Sequence, residues 1–78
     1  MSHVDLPDVL VHIDEPLGHD EFQGLERVLR TDPGVISVSF HDDKPHLLVV
    51  QFDPQLTGTG RILQQVIDHG VHAQLVGM

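Results

Sequence analysis

The residues best suited to chemistry are the histidines. This 78-residue chain has seven of them, nearly twice the combined number of lysines and arginines, which is four. Imidazoles with nearby carboxylates are suitable ligands for the borderline divalent ions zinc, nickel, cupric copper and cobalt. The sequence contains no cysteine, so it offers neither thiolates for softer ions nor a disulfide. These residue types favour a histidine-based site for a divalent transition metal.

The negative net charge argues against partners that are themselves strongly negative. Twelve acidic and four basic side chains give a formal net charge of −8, whereas a nucleic-acid backbone or an anionic membrane requires a positive face. The longest apolar run, Leu47–Val50, is too short to cross a bilayer, and the first residues lack the basic and apolar regions of an export signal. We expect a cytoplasmic protein with one domain over residues 1–78 that binds neither nucleic acid nor membrane.

Signals for catalysis are weak. The carboxylate pairs Asp20–Glu21 and Asp42–Asp43 are predicted to lie in turns, and no serine has a plausible base with an orienting partner. The segment Thr57–Gly60 lacks the Gly-Lys-Ser/Thr ending of a phosphate-binding loop, so we predict that it opens a helix capped by Thr57 or Thr59. The sequence therefore predicts a binding module that is not an enzyme.

Hydrophobic periodicity predicts six elements that would position these side chains. Alternation of apolar and polar residues indicates strands at Asp8–Asp14 and Val35–His41. A nearly continuous apolar stretch, as expected of a central strand, indicates a third at Leu47–Asp53, and Val71–Val76 is predicted as the last strand. Apolar residues at helical spacing predict a first helix capped by Asp20, with Gln23 as its capping-box partner, and a second helix that ends at Gly70.

The order β-α-β-β-α-β predicts an α+β fold, a ferredoxin-like sandwich. Its antiparallel four-stranded sheet has the expected strand order 4-1-3-2, with both helices on one face. In the second strand, Ile36, Val38 and Phe40 are expected to share one face.

Three segments have turn and core residues in an order that is typical of a known family: Asp32–Val38, Val50–Pro54 and Gly70–Val76. Together they resemble the heavy-metal-associated (HMA) domain. This small βαββαβ module occurs in copper chaperones, mercury-binding proteins and the N-terminal repeats of metal-pumping ATPases. The similarity extends from Val9 to Val76 and implies the same fold.

The metal-binding motif of that family is missing from the chain. In HMA domains a Met-x-Cys-x-x-Cys loop between the first strand and the first helix holds a soft metal ion. Counting back from Gly34, the two cysteine positions fall at Gly18 and Glu21. The resemblance therefore implies a variant without the Cys-x-x-Cys motif, to which transport of cuprous or mercuric ions does not carry over.

In the expected topology, six of the seven histidines gather at one end of the sheet. The first two strands end there and the last two begin there, so residues distant in sequence meet. The candidate metal ligands at this pole are His12, His19, Glu21, His41, His46, His69 and His72.

Two local groupings could hold an ion at this pole. His12 and His72 are expected on neighbouring antiparallel strands, where directly opposed Cβ atoms are ~4.5–5.5 Å apart, and His19, Asp20 or Glu21 could complete their site. A second set spans the predicted hairpin: His41, Asp42, Asp43 and His46. Solvated histidines that hold no metal are the alternative interpretation.

The face of the sheet without helices suggests a different function. Outward parity places four aliphatic side chains there: Leu10, Leu47, Val49 and Val76. The predicted edge strand Val71–Val76 has no Asp, Glu, Lys, Arg or proline to block pairing. The alternative function is a regulatory or interaction domain that forms a homodimer or docks a protein partner.

Overall fold

A computed structural model describes residues 6–41 and 43–76 of the chain. Its elements are β1 (Asp8–Ile13), α1 (His19–Leu29), β2 (Val35–Phe40), β3 (Leu47–Phe52), α2 (Thr59–Asp68) and β4 (Ala73–Leu75). The strands form one antiparallel sheet in the order β2-β3-β1-β4. This order is the predicted 4-1-3-2, so the ferredoxin-like fold is confirmed. No helix in the described ranges is long and apolar enough to cross a membrane.

The core lies between one face of the sheet and the two helices. Alternate residues of the central strands point into it and are fully buried: Val9, Val11, Ile13, Leu48 and Val50. The helices contribute fully buried residues at helical spacing: Leu25, Leu29, Ile62 and Val66. Each such aliphatic side chain stabilises the fold by roughly 1.5–3 kcal/mol through removal from water.

The strands are slightly shorter than the alternation predicted. The first three end at Ile13, Phe40 and Phe52, one residue before the predicted ends. The fourth is reduced to Ala73–Leu75, an edge strand that pairs with β1.

The prediction that Ile36 shares a buried face with Val38 is wrong. Ile36 is 44% exposed, whereas Val38 is buried. The register of β2 against β3 shifts between Val35 and Ser37, which leaves Ile36 without a cross-strand partner. Val35 packs against the core instead, as expected where an irregularity changes the parity of a strand.

The predicted helix caps are also wrong. Gly18 and Gly58 are the N-cap residues of α1 and α2, in place of Asp20 and either Thr57 or Thr59. At α1, the Glu21 carboxylate accepts a hydrogen bond from the Gly18 N–H at 3.1 Å, which ties the loop to the first turn. The predicted end of α2 is confirmed, since Gly70 follows it with a φ of 107°.

A buried carboxylate joins the α1–β2 turn to α2. Asp32 is 3% exposed and accepts hydrogen bonds from the Gly34 N–H, the Thr57 hydroxyl and the Gln65 amide, at 2.9, 2.7 and 3.1 Å. The Arg61 Nε lies 3.3 Å away. Burial alone raises the pKa of Asp32, but these hydrogen bonds and the Arg61 charge outweigh it and hold the pKa below its ordinary value.

Candidate metal centre

The topology places six histidines at the end of the sheet where β1 and β2 end. His12 lies in the last part of β1, and His19 is the first residue of α1. The others immediately flank the ends of β2, β3, α2 and β4: His41, His46, His69 and His72. The fold thus positions these imidazoles near one pole, while the side-chain contacts decide which of them meet.

Two imidazoles stack at the end of β1. The ring centroids of His12 and His46 are 5.7 Å apart, with an angle of 14° between the ring planes. The Nδ1 atom of His46 is 2.8 Å from the carbonyl oxygen of Ile13. A carbonyl can only accept, so Nδ1 carries the proton and, in the neutral ring, Nε2 carries the lone pair that a metal would use.

His12 leaves one nitrogen without a hydrogen bond. Its Nδ1 atom is buried and has no hydrogen-bond partner among the described residues, although the Asp14 carboxylate lies 3.4 Å away. The side chain as a whole is 43% exposed, so the exposed surface comes from ring atoms other than Nδ1 and from Cβ. The Asp14 carboxylate therefore faces the Nδ1 edge of the ring.

His72 is held by a carboxylate from the loop after β1. Its Nδ1–H and its backbone N–H donate to the two oxygens of Glu15, at 2.5 and 2.9 Å. The side-chain hydrogen bond and the charge of Glu15 raise the pKa of His72. The same side-chain hydrogen bond, with the backbone one, lowers the pKa of Glu15. This pair links the start of β4 to the end of β1.

The predicted direct opposition of His12 and His72 is wrong. His12 lies opposite Gln74 on β4 and opposite Leu47 on β3. The carbonyl of His72 accepts instead from the Asp14 N–H at 2.8 Å. His72 is thus two positions out of register with His12, and its ring is bound to Glu15.

The remaining predicted ligands do not contact the imidazoles of His12, His46 or His72 in any described interaction. Exposed His69 caps the end of α2, and its ring lies beside Gly24 of α1, where an added Cβ would be 3.6 Å from the ring Cε1. Exposed His19 begins α1, and Glu21 binds the Gly18 N–H. His41 is exposed after β2, and Asp42 of the predicted hairpin set lies outside the described residues.

Within residues 6–41 and 43–76, no three histidine or acidic side chains converge in a way that could hold a metal ion. Two imidazoles do stack among these residues, those of His12 and His46. The described part of one chain therefore supplies two stacked imidazoles, half of what a tetrahedral structural site for zinc requires.

Sequence reasoning missed the oxygens that orient the rings. They belong to three consecutive residues, Ile13, Asp14 and Glu15. The signal that could have found two of them is the pair of acids directly after a strand that carries His12 near its end. The carbonyl of Ile13 could not be found in this way, because every residue has one.

The chain has the fold of several solved HMA domains. A copper binding domain from HMA7, a P-type ATPase, superimposes with a TM-score of 0.78 at 21% identity, covering 90% of this chain and 93% of that one. Oxidized MerP from Ralstonia metallidurans CH34 gives 0.77 at 15% identity, covering 91% and 97%. The yeast copper transporter domain CCC2A gives 0.77 at 14% identity, covering 88% and 93%.

At these identities the likeness shows the fold. No protein-family model and no curated protein sequence matches the chain.

Proposed function

We propose that this chain is a small metal-binding module that takes a borderline divalent ion through imidazoles at the pole of the sheet, with His12 and His46 as its primary ligands. The observation that carries the proposal is the contact between their rings at 5.7 Å, with the Nδ1–H of His46 anchored on the carbonyl of Ile13. In metal sites, a ligating histidine almost always donates its other ring N–H to a carbonyl or carboxylate, which fixes the tautomer and the ring direction.

The choice of ion follows from the donor atoms. The neighbours include domains described as copper-binding or loaded with Cu(I), but this chain has no cysteine. Gly18 and Glu21 occupy the cysteine positions expected from the resemblance, and both are engaged at the start of α1. Imidazole nitrogen suits zinc, nickel, cobalt and cupric copper, so we propose these ions as the cargo.

The other predicted ligands have a secondary place in the proposal. His72 is held by Glu15, and His69 packs on the helix side of the molecule. We assign His19, Glu21 and His41 no direct part in the primary pair. The pole as a whole remains imidazole-rich, which would raise the local concentration of ions near His12 and His46.

Calorimetric titration with zinc, nickel, cobalt and cupric ions tests the proposal. Saturable binding tighter than millimolar is expected for at least one ion, with affinity at least ~10-fold lower in His12→Ala and in His46→Ala. His69→Ala is the matched control, because it removes an imidazole at the same pole from the helix layer, and it should leave binding unchanged. Weak, non-saturating heats that are equal in all variants would overturn the proposal.

One feature favours a second candidate function, metal-independent docking of a protein segment at β4. The backbone groups of Ala73 and Leu75 face away from β1, because the neighbouring residues His72 and Val76 bond to it. A cavity of about 290 Å³ lies along this edge, lined by Ile67, Val71, Ala73 and Gln74, with Asp14 and His72. Association that persists in EDTA and is lost on Ala73→Pro would support this function.

A further inference from the structure

We infer that the His12–His46 pair is one half of a four-imidazole site, and that the same pair of a second copy completes it. A divalent ion would then bridge a homodimer across the helix-free face of the sheet. This inference rests on the proposed function and names the partner that the metal site requires.

The spacing of the two rings suits one ion. Zinc–nitrogen bonds of ~2.0–2.1 Å at the tetrahedral angle place the centroids of two imidazoles about 5 Å apart. The observed separation of His12 and His46 is 5.7 Å. The rings are nearly parallel at 14°, so one of them must turn about its Cβ–Cγ bond before both Nε2 atoms face the same ion.

His12 is the ring that can turn. His46 is fixed by the hydrogen bond from its Nδ1 to Ile13 at 2.8 Å, whereas the Nδ1 of His12 has no hydrogen-bond partner in the described part of the chain. The Asp14 carboxylate lies 3.4 Å from this nitrogen, so it is placed to accept a hydrogen bond from the Nδ1–H once the ring has turned.

The described residues of a single copy do not complete the coordination shell of the ion. No third histidine or acidic side chain joins the pair within residues 6–41 and 43–76, and Asp14 lies on the Nδ1 side of His12, away from the nitrogen that would bind the ion. A closed zinc site holds four protein ligands. A two-fold axis through the ion would supply the other two as the same residues of a second chain, the usual symmetry of a homodimer.

The surface around the pair permits close approach of a second copy. We define the open face as Leu10, His12, Leu47, Val49, Gln74 and Val76. These residues form two adjacent cross-strand rows on the side away from the helices, and none carries a formal charge when histidine is neutral. Leu10 is 36% exposed at its centre. The carboxylates on the same side of β1, Asp8 and Asp14, lie at the two ends of the open face and not at its centre.

The open face is too small to hold two copies without the ion. A stable interface of standard size buries roughly 800 Å² on each partner, about 20–30 residues a side, and the open face has six side chains. The dimer is thus expected only when a metal links the two pairs, and its formation should follow the ratio of metal to chain.

The test measures the molar mass of the protein by sedimentation during a zinc titration. Interference optics are needed because the sequence has no tryptophan or tyrosine to absorb ultraviolet light. A monomer is expected in EDTA and a dimer at one zinc per two chains. Excess zinc should return the dimer to metal-loaded monomers, since each pair can then hold its own ion. His12→Ala and His46→Ala should stay monomeric throughout.

Leu10→Glu separates dimerisation from metal binding. A carboxylate at the centre of the open face should abolish the zinc-dependent dimer while one zinc still binds per monomer. Leu56→Glu is the matched control, because Leu56 is 57% exposed in the loop before α2, and it should dimerise like the unmodified chain.

The outcomes distinguish this inference from the proposed function. A chain that binds zinc saturably through His12 and His46 but remains monomeric at every ratio would overturn the inference and leave the proposed function standing. Absence of saturable binding would overturn both. A dimer that is equally stable in EDTA would also overturn the inference and would favour docking through β4.

Discussion

Three imidazoles at the end of β1 are held or faced by the oxygens of three consecutive residues. His46 donates to the carbonyl of Ile13, and His72 donates to the carboxylate of Glu15. The Asp14 carboxylate faces His12 at 3.4 Å. The last carbonyl of β1 and the two acidic side chains that follow it thus contact imidazoles from three different parts of the chain.

The Glu15–His72 pair predicts a measurable titration. The imidazole of His72 should show a pKa above its ordinary value of 6.5 by NMR, because its protonated form is stabilised by Glu15. The stability that the pair contributes is present below pH ~6.5 and is lost as the pH rises through the raised pKa. Glu15→Gln should bring the midpoint down, and Glu26→Gln, which alters the partner of Arg30, should not. A midpoint unaffected by Glu15→Gln would contradict the pairing.

Asp32 predicts a large loss of stability on substitution. Asp32→Ala would leave the Gly34 N–H, the Thr57 hydroxyl and the Gln65 amide without their acceptor. We expect the free energy of unfolding to fall by about 2–4 kcal/mol, measured by urea titration with far-ultraviolet circular dichroism. Asp43→Ala, at an exposed turn, should change it by less than about 0.5 kcal/mol. Equal effects of the two substitutions would show that the network contributes little.

The same carboxylate predicts the acid limb of the stability curve. The pKa of Asp32 is lowered in the folded chain, so its contribution is present above the ordinary value of 3.8 and is lost as the pH falls through the folded pKa. The difference in stability between the unmodified chain and Asp32→Asn should therefore narrow below pH ~4. A constant difference across this range would mean that Asp32 has the same pKa folded and unfolded.

At the scale of elements, the close approach of the α1–β2 turn to the loop before α2 requires a glycine. A Cβ on Gly34 would lie 2.5 Å from the Thr57 Cγ2 and 2.9 Å from the Thr57 backbone nitrogen. Backbone atoms cannot move as a flexible side chain does, so the two segments would have to separate. The same contact carries the hydrogen bond from Thr57 to Asp32.

Gly34→Ala should lower the free energy of unfolding by about 1–3 kcal/mol through this overlap. Gly60→Ala is the matched control, because nothing lies within 4 Å of its added Cβ and the residue is in the first turn of α2. There alanine should be neutral or stabilise the helix by up to about 1 kcal/mol. Thermal unfolding of both variants checks the prediction, and a neutral Gly34→Ala would contradict the described contact.

The elements that could be predicted are those set by local periodicity. Alternation located β1 and a nearly continuous apolar stretch located β3, and their residues Val9, Val11, Leu48 and Val50 share one buried face. Gly70 correctly marked the end of α2. The N-caps failed because tertiary contacts outweighed local preference. Thr57, a good cap by type, gives its hydroxyl to the distant Asp32 instead.

The candidate site could be predicted only to the level of the pole. Chain topology sufficed to bring His12 and His46 to the same end, but their contact depends on where the turn before β3 places the His46 ring. The His12–His72 pairing failed because sequence gives no register, and a shift of two residues sets His12 opposite Gln74. Asp32 went unnoticed as a buried group, although an aspartate two residues before a glycine is typical of a side-chain turn.

At the scale of the whole molecule, the comparison concerns which residues lie at the pole, the end of the sheet where β1 and β2 end. The chain shares its fold with domains described as copper-binding, yet its first loop has Gly18 and Glu21 where the resemblance places cysteines. Those two residues bind each other at the start of α1. The proposed site lies instead at the end of the sheet, where β1 carries His12 and the turn before β3 places His46 beside it.

The measurement that tests the proposed site most directly is a long-range ¹H–¹⁵N NMR spectrum of the imidazole nitrogens, recorded with and without zinc. The account predicts that the Nε2 resonances of His12 and His46 shift together to metal-bound values while the Nδ1 of His46 remains protonated. Zinc-induced shifts spread over all the histidines, or confined to residues other than this pair, would contradict it.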